Sequence, residues 1–443
     1  MTKSNSTLLP NADIDSALAD AHARFLAANP RSFARHEQAK AALPGGNTRA
    51  VLWYRPFPLT FTGGKGCYVE DLDGHSYVDL VSEYSAGLFG HSDPVIAEEM
   101  IAAIKQGLLL GSPNRYEARF AEAIVERFPA IERVRFCNSG TEANIMALSA
   151  ARAITGRSKI MVFREGYHGG VLTFAHGGSV LNLPFPFIFA DYNDIAGVEA
   201  LLREHGQDVA AIILEPMLGG GGCIPAMPDF LTFLRKTTAE TGTLLIFDEV
   251  MTSRLAYRGL HGKLGIKPDL VTLGKYLGGG ASFGAFGGRA DLMDRFDPGS
   301  ATAFSHGGTF NNNVLSMAGG LAGFTRVLTP EASEAVNQRG DLLREAMNQR
   351  LDDRGIAGIV LGQGSLMNLH FATGPVNTPA ELGHPDRRLM GLWHIEMLLR
   401  GQHVTPRGML ALSLPFAEKE MAAFLAAFDD FLEMTSNLLP RKT

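Results

Sequence analysis

Two residue types that are costly to bury stand at the ends of apolar runs in this sequence. Lys275 closes "DLVTLGK" and is followed by "YLGGGASFGAFGG". Asp248 closes "TLLIFD" and is followed by Glu249 and Val250. An ammonium or a carboxylate carried to an interior needs a partner or tends to lose its charge. Taken alone, Lys275 reads as a loop lysine. An amine so placed also suits covalent attachment to a carbonyl compound, and a buried carboxylate suits a protonated ring nitrogen.

Ligands of open α/β sheets bind outside the carboxyl ends of strands, so the residues just after each apolar run are informative. "RVRFCN" is followed by "SGTEANIMALSAARAITG". There Ser139, Gly140 and Thr141 offer hydroxyls and N–H groups at a helix start, a seat for a phosphate. Ser139 and Glu142 also have capping-box spacing, and an ordinary capped helix would compete for the same N–H groups. "KIMVF" leads to Tyr167 and His168 in "YHGG", where Tyr167 is either a cover for a planar ring or a loop tyrosine. "AAIILEP" ends on Glu215, ahead of a glycine-rich loop that fits close passage of a ligand or plain flexibility. A phosphate seat, a ring-stacking aromatic, an acid and a lysine are the parts that pyridoxal 5′-phosphate requires. Held as an imine, Lys275 has a reason to stand at an interior.

The elements that must position these residues show in the hydrophobic pattern. After Pro94, "RVRFCN", "KIMVF", "DVAAIILEP", "TLLIFDEV" and "DLVTLGK" alternate with amphipathic helices. That is the pattern of a mostly parallel sheet covered by helices on both faces. "SFGAFGG" adds a returning strand. Upstream, Ile14, Ala17, Leu18, Ala21 and Phe25 have helical spacing, and "LTFTGGKGCYVEDLDGHSYVDL" reads as a meander turning at Asp73-Gly74. Downstream, a long helix is expected over 330–354 and another over 388–400, with strands at "GIVLG", "LMNLHF" and "MLALSLP". The expected division is an N-terminal segment 1–80, a large α/β domain 81–324 and a small α+β domain 325–443 that also takes in the N-terminal segment.

The chain has 443 residues, 46% apolar and 19% charged, with a net charge of −6. Without a Lys/Arg cluster, nucleic acid and anionic membrane are not expected partners. Three cysteines without CxxC spacing argue against a disulfide framework or a structural zinc site. The first residues lack the apolar core of a signal peptide, and no apolar run is long enough to span a membrane. A cytoplasmic protein is expected.

In order along the chain, "NSGTEAN", "YHGG", Glu215-Pro216, "FDEVMTSR", "TLGKYLGGG" and "HGGTFNNN" resemble the class III aminotransferases of the fold-type I pyridoxal-phosphate superfamily. "PGGNTRAVLWYRPFPLT", "EYSAG", "DEVMTSRLA", "SHGGTFNNNV" and "TPRGMLALSLP" are similar to the aromatic β-amino acid (β-phenylalanine) branch, with glutamate-1-semialdehyde aminomutases as relatives. The resemblance implies a seven-stranded sheet, with Lys275 as Schiff-base lysine and Asp248 on the pyridine nitrogen. It places Val250 behind the ring, Tyr167 in front, and Ser139, Gly140 and Thr141 on the phosphate. His168 and Glu215 would stand near the cofactor. Thr309 would reach the phosphate of a neighbouring subunit's cofactor, which implies a homodimer. The implied activity is ping-pong transamination from an aromatic β-amino acid, of (S)-β-phenylalanine type, to a 2-oxo acid such as 2-oxoglutarate. The rivals are an aminomutase and an ω-amine transaminase.

Two departures from the class pattern favour the β-amino acid branch. The class often has Asn-Pro after the phosphate-binding threonine, where this chain has Thr309-Phe310-Asn311-Asn312. The aminomutases also differ where this chain has Asn47-Thr48-Arg49. Both substrates carry carboxylates, for which a bidentate arginine is the usual partner. Arg49 is the choice for the β-amino acid and Arg407 for the keto acid's second carboxylate, although without the resemblance either is equally a structural arginine. Trp53, Tyr54 and Phe57 line an aromatic pocket or belong to the core or a dimer interface. His306 reads as a loop histidine with a backbone partner.

Overall fold

The apolar runs that end on Asp248 and Lys275 are neighbouring strands at the centre of one sheet. The computed structural model describes residues 13–383 and 386–442. The reading of the chain's first residues falls on 1–12, outside the described residues. Seven strands form the sheet: β1 (Arg133–Cys137), β2 (Lys159–Phe163), β3 (Phe187–Ala190), β4 (Val209–Leu214), β5 (Leu244–Asp248), β6 (Leu270–Gly274) and β7 (Gly284–Gly288). Their spatial order is β1-β7-β6-β5-β4-β2-β3. All neighbours run parallel except β7, which is antiparallel to both β6 and β1. "SFGAFGG" is thus the returning strand expected from the sequence.

Residue-by-residue reading missed β3. Its four residues, "FIFA", lie just after Pro184 and Pro186 and are too short to show a period. The central strands β4, β5 and β6 are buried along their whole length, as parallel strands covered on both faces must be. Each fully buried Leu, Ile or Val there contributes about 1.5–3 kcal/mol, so these strand ends grow from a fully buried sheet centre.

Helix Gly140–Thr155 packs against β6 and β7 through Ala143, Ala147 and Ala151, small enough to bring helix and sheet close together. It begins at extended Ser139, whose Oγ accepts from Glu142 N at 3.1 Å, and ends at left-handed Gly156. Only half of the expected capping box forms. The Glu142 carboxylate accepts from Asn138 N at 2.8 Å instead of returning to Ser139 N.

The two ends of the chain meet. Strand Ser76–Asp79 of the meander pairs in parallel with Gln402–His403, and helix Ile14–Ala28 packs on helix Arg387–Leu399. The long C-terminal helix runs Pro330–Asp353. A three-stranded sheet joins Ile359–Gln363, Leu366–His370 and Met409–Ala411. No helix among the described residues is long and apolar enough to cross a membrane.

Candidate active site

Lys275 comes directly after β6 and has left-handed backbone, with φ 56°. Its Nζ donates to Tyr84 O at 2.6 Å and to Ser85 Oγ at 3.1 Å. Burial pulls this amine down to about 8, against the opposing pull of the Glu215 and Asp248 carboxylates. Its two partners sit in an unusual stretch. Ser82, Glu83, Tyr84 and Ser85 are all left-handed, with φ of 48°, 48°, 53° and 76°. For residues with a Cβ this costs roughly 1–2 kcal/mol each, so the surroundings must impose it.

Asp79 is the main support of that turn. Its Oδ1 accepts from Val81 N and Ser82 N, each at 3.0 Å. His91 Nε2 at 2.9 Å and His403 Nδ1 at 3.0 Å hold the same carboxylate. Burial alone would raise the Asp79 carboxyl, but His403 and His91 overcome it and keep it well below the usual range. The turn is closed by Gly87 N donating to Ser82 O at 2.8 Å, and Arg254 Nη1 donates to Ser85 O at 3.0 Å.

Asp248, at the end of β5, is 3% exposed. Its Oδ2 takes His168 Nδ1 and Asn144 Nδ2, both at 2.8 Å, and its Oδ1 takes Val250 N at 3.0 Å. A carboxylate has about four acceptor positions, so these donors leave it room for one more. Val250 packs on the glycine backbone around it: a Cβ on Gly140 would come within 2.7 Å of its Cγ2. Any side chain at position 140 would therefore displace Val250.

Glu215 lies just past β4 and accepts from Tyr167 N at 3.0 Å and Gly219 N at 2.9 Å. Burial pushes its carboxyl up to about 7, with Asp248 adding to the effect and His168 opposing it. Tyr167 itself is half exposed at the cavity edge. At the helix start, Ser139 Oγ accepts from Glu142 N, which leaves its O–H able to donate. The first N–H groups of a helix have no partner in its ladder, and those of Gly140 and Thr141 stand where the helix meets the cavity.

The residues expected to hold cofactor and substrate, apart from Thr309 and Arg407, line one cavity of about 740 Å³. Arg49 is in it, paired with Glu83, its guanidinium 5.7 Å from the Tyr84 ring centroid. Arg407 is exposed and outside the lining, near enough to Tyr84 to act on its phenol through charge. Thr309 is exposed, in a loop tied down by Asn311 Oδ1 accepting from Asn138 Nδ2 at 3.0 Å. His306 has side-chain partners rather than a backbone one: Arg135 Nε donates to its Nδ1 at 3.0 Å, and Asn311 lies at its Nε2. Phe57 is core, Tyr54 stacks edge-on to His394, and Trp53 is exposed.

Sequence reading missed Asn144, the Glu83–Ser85 turn and Arg254. For Asn144 a signal exists, because it shares helical spacing with buried Ala147, Leu148 and Ala151 and is a polar residue on an apolar stripe.

The profile of the family described as aminotransferase class-III matches residues 51–383. A β-phenylalanine transaminase of Variovorax paradoxus is 49% identical over 433 residues, 98% of this chain and 100% of that protein. The crystal structure of a β-phenylalanine aminotransferase from Variovorax paradoxus superposes with a TM-score of 0.96, at 49% identity, covering 97% of this chain and 100% of that one. A glutamate-1-semialdehyde 2,1-aminomutase of Rhodopirellula baltica is 36% identical, covering 82% of this chain and 87% of its own. A solved transaminase with PLP bound has a TM-score of 0.85 at 31% identity, over 92% of this chain and 99% of its own.

The residues present fit that cofactor. The Lys275 amine, a buried carboxylate with acceptor capacity to spare and a free helix N-terminus share a cavity within the usual range of roughly 300–1,000 Å³. The chain therefore belongs to the class-III aminotransferases and is a pyridoxal-phosphate enzyme of fold type I.

Proposed function

We propose that this aminotransferase takes its amino group from an aromatic β-amino acid of the β-phenylalanine type and passes it to a 2-oxo acid such as 2-oxoglutarate. The two half-reactions share one site, in ping-pong order. The observation that carries this reading is Arg49, the only arginine among the described residues that line the cavity of Lys275. A cation there suits a carboxylate set apart from the reacting amine, and the Variovorax relative acts on β-phenylalanine.

Bound pyridoxal phosphate supplies a carbonyl carbon for the substrate amine and an electron-withdrawing ring. Lys275 would carry the cofactor and, once released, would take a proton from the amine-bearing carbon and deliver it to the cofactor's former carbonyl carbon. That carbon bears no carboxylate in a β-amino acid, so the bond Lys275 breaks is C–H. Asp248 pairs with the ring nitrogen, Val250 packs behind the ring and Tyr167 in front. Ser139, Gly140 and Thr141 hold the phosphate, while Glu215 and His168 flank the ring. Arg407, near Tyr84, receives the keto acid's second carboxylate.

We further read the enzyme as a homodimer, in which the exposed Thr309 of one subunit reaches the cofactor phosphate of the other. The division into 1–80, 81–324 and 325–443 accords with the meeting of the chain's two ends. Three buried, unpaired cysteines suit a reducing compartment, and we place the enzyme in the cytoplasm.

The test is the absorption spectrum of the holoenzyme with β-phenylalanine and no keto acid. The cofactor's visible band should bleach, and 2-oxoglutarate should restore it. A band that β-phenylalanine leaves unchanged would reject the substrate and favour an aminomutase or an amine-specific ω-transaminase.

A further inference from the structure

Arg254 is 1% exposed, and among the described residues only Trp393 is a larger fully buried side chain. It stands in the turn Thr252–Leu255, shortly after Asp248. Its Nη1 donates to Ser85 O at 3.0 Å, its Nε to Ser365 Oγ at 3.2 Å, and its Nη2 to Leu412 O. Every one of these acceptors is neutral, and among the described residues no carboxylate pairs with it. A buried guanidinium without a counter-charge is expensive. Burial draws Arg254 down to about 9, which still leaves it cationic at neutral pH.

The three acceptors come from parts of the chain far apart in sequence, and one of them belongs to the left-handed turn. Ser85 takes Arg254 on its carbonyl and Lys275 on its hydroxyl. A single residue therefore separates the guanidinium from the amine. We propose that Arg254 is a positioning residue for Lys275, clamping the Ser82–Ser85 turn against the amine and standing behind it as a fixed positive charge. The inference rests on Lys275 being the residue that carries the cofactor.

The other charged groups around the amine are accounted for. Glu215 and Asp248, at the ends of β4 and β5, favour a protonated Lys275, whereas Arg254 and Arg49 oppose it. His168 is bonded to Asp248, and Glu83 to Arg49. Arg49 is open to solvent and already paired, so its field is screened. Arg254 is buried and unpaired, and its field is not. It thereby adds to burial in lowering the proton affinity of the Lys275 nitrogen.

The experiment compares wild-type holoenzyme with Arg254→Gln, which keeps a donor and loses the charge, and Arg254→Lys, which keeps the charge and loses the fork. Two quantities are read. One is the pH midpoint of the visible cofactor band, which reports protonation at the Lys275 nitrogen. The other is amide hydrogen exchange of residues 81–87. Arg254→Gln should move the midpoint up by about one pH unit, a tenfold change in proton affinity. Arg254→Lys should leave the midpoint near wild type, and both variants should speed exchange at 81–87 about tenfold or more. A wild-type midpoint in Arg254→Gln overturns the charge, and wild-type exchange in Arg254→Lys overturns the clamp. If Arg254→Gln does not fold, the exchange of Arg254→Lys alone decides the clamp. Absence of any cofactor band in the wild type would instead reject the reading of Lys275.

Discussion

Asn144 faces Asp248 because Thr272 sets it from the other side. Thr272 Oγ1 donates to Asn144 Oδ1 at 2.6 Å, which turns Nδ2 toward Asp248 Oδ2 at 2.8 Å. The same Nδ2 also reaches His168 O at 2.9 Å. A helix residue, a strand residue and a loop are thus joined around one carboxylate, each side chain with its donor or acceptor fixed by the next.

Breaking that chain should be felt at the cofactor. Asn144→Leu removes a buried donor to a charged group, a loss of about 1–3 kcal/mol. We expect cofactor affinity to fall about tenfold to a hundredfold, with a smaller fall in Thr272→Val. Titration of the cofactor-free protein with pyridoxal phosphate measures this, and an affinity unchanged in Asn144→Leu would show that the amide does no more than fill space.

The amine of Lys275 carries a stability cost that pH can relieve. Its folded-state value, about 8, lies below its ordinary value of 10.5. Between the two, the unfolded chain binds more protons, so the stability of the cofactor-free protein rises with pH through that window. Lys275→Met should therefore be more stable than wild type at pH 7 in cofactor-free form, and the advantage should shrink from pH 8 upward. Thermal unfolding across that range checks the sign. An advantage that does not change with pH would mean the cost comes from packing.

The carboxyl of Glu215 gives the opposite dependence. Burial raises it from 4.5 to about 7, so the folded chain holds the extra proton and loses stability as pH rises through that interval. Glu215→Gln carries no charge at any pH. In cofactor-free protein, the stability of Glu215→Gln relative to wild type should climb between pH 5 and pH 8 and then level off. A flat difference across that range would show that Glu215 does not titrate there.

What could be read in the sequence was what local pattern determines. Lys275 and Asp248 stood out because each ends a largely apolar run, although Lys275 taken alone reads as a loop lysine. Strands β4, β5 and β6 were plain because burial on both faces leaves them almost without polar residues. The Ser82–Ser85 turn was hidden, since nothing in "SEYS" favours left-handed backbone. It exists through Asp79 just upstream, which is itself held by His403, and through Arg254, which reaches it from far along the chain. Arg254 was invisible for the same reason: its partners at 85, 365 and 412 meet only when the chain's two ends come together. Thr309 and Arg407 lie outside the lining of the cavity built by one chain, so the roles proposed for them rest on the resemblance alone.

Arg49 bears most directly on the substrate. Its guanidinium is held at the cavity wall by Glu83, a carboxylate of the protein itself. Arg49→Ala should leave the cofactor band intact, because Arg49 itself bonds to neither Asp248 nor Lys275. The β-phenylalanine half-reaction should slow about tenfold to a hundredfold, the worth of a charged hydrogen bond of roughly 1.5–3 kcal/mol. Glu83→Gln should act in the other direction at subsaturating substrate, since it removes the carboxylate that occupies Arg49 beforehand. Single-turnover bleaching of the cofactor band separates both effects from the return half-reaction with the keto acid. A half-reaction of normal rate in Arg49→Ala would move the carboxylate site elsewhere on the wall.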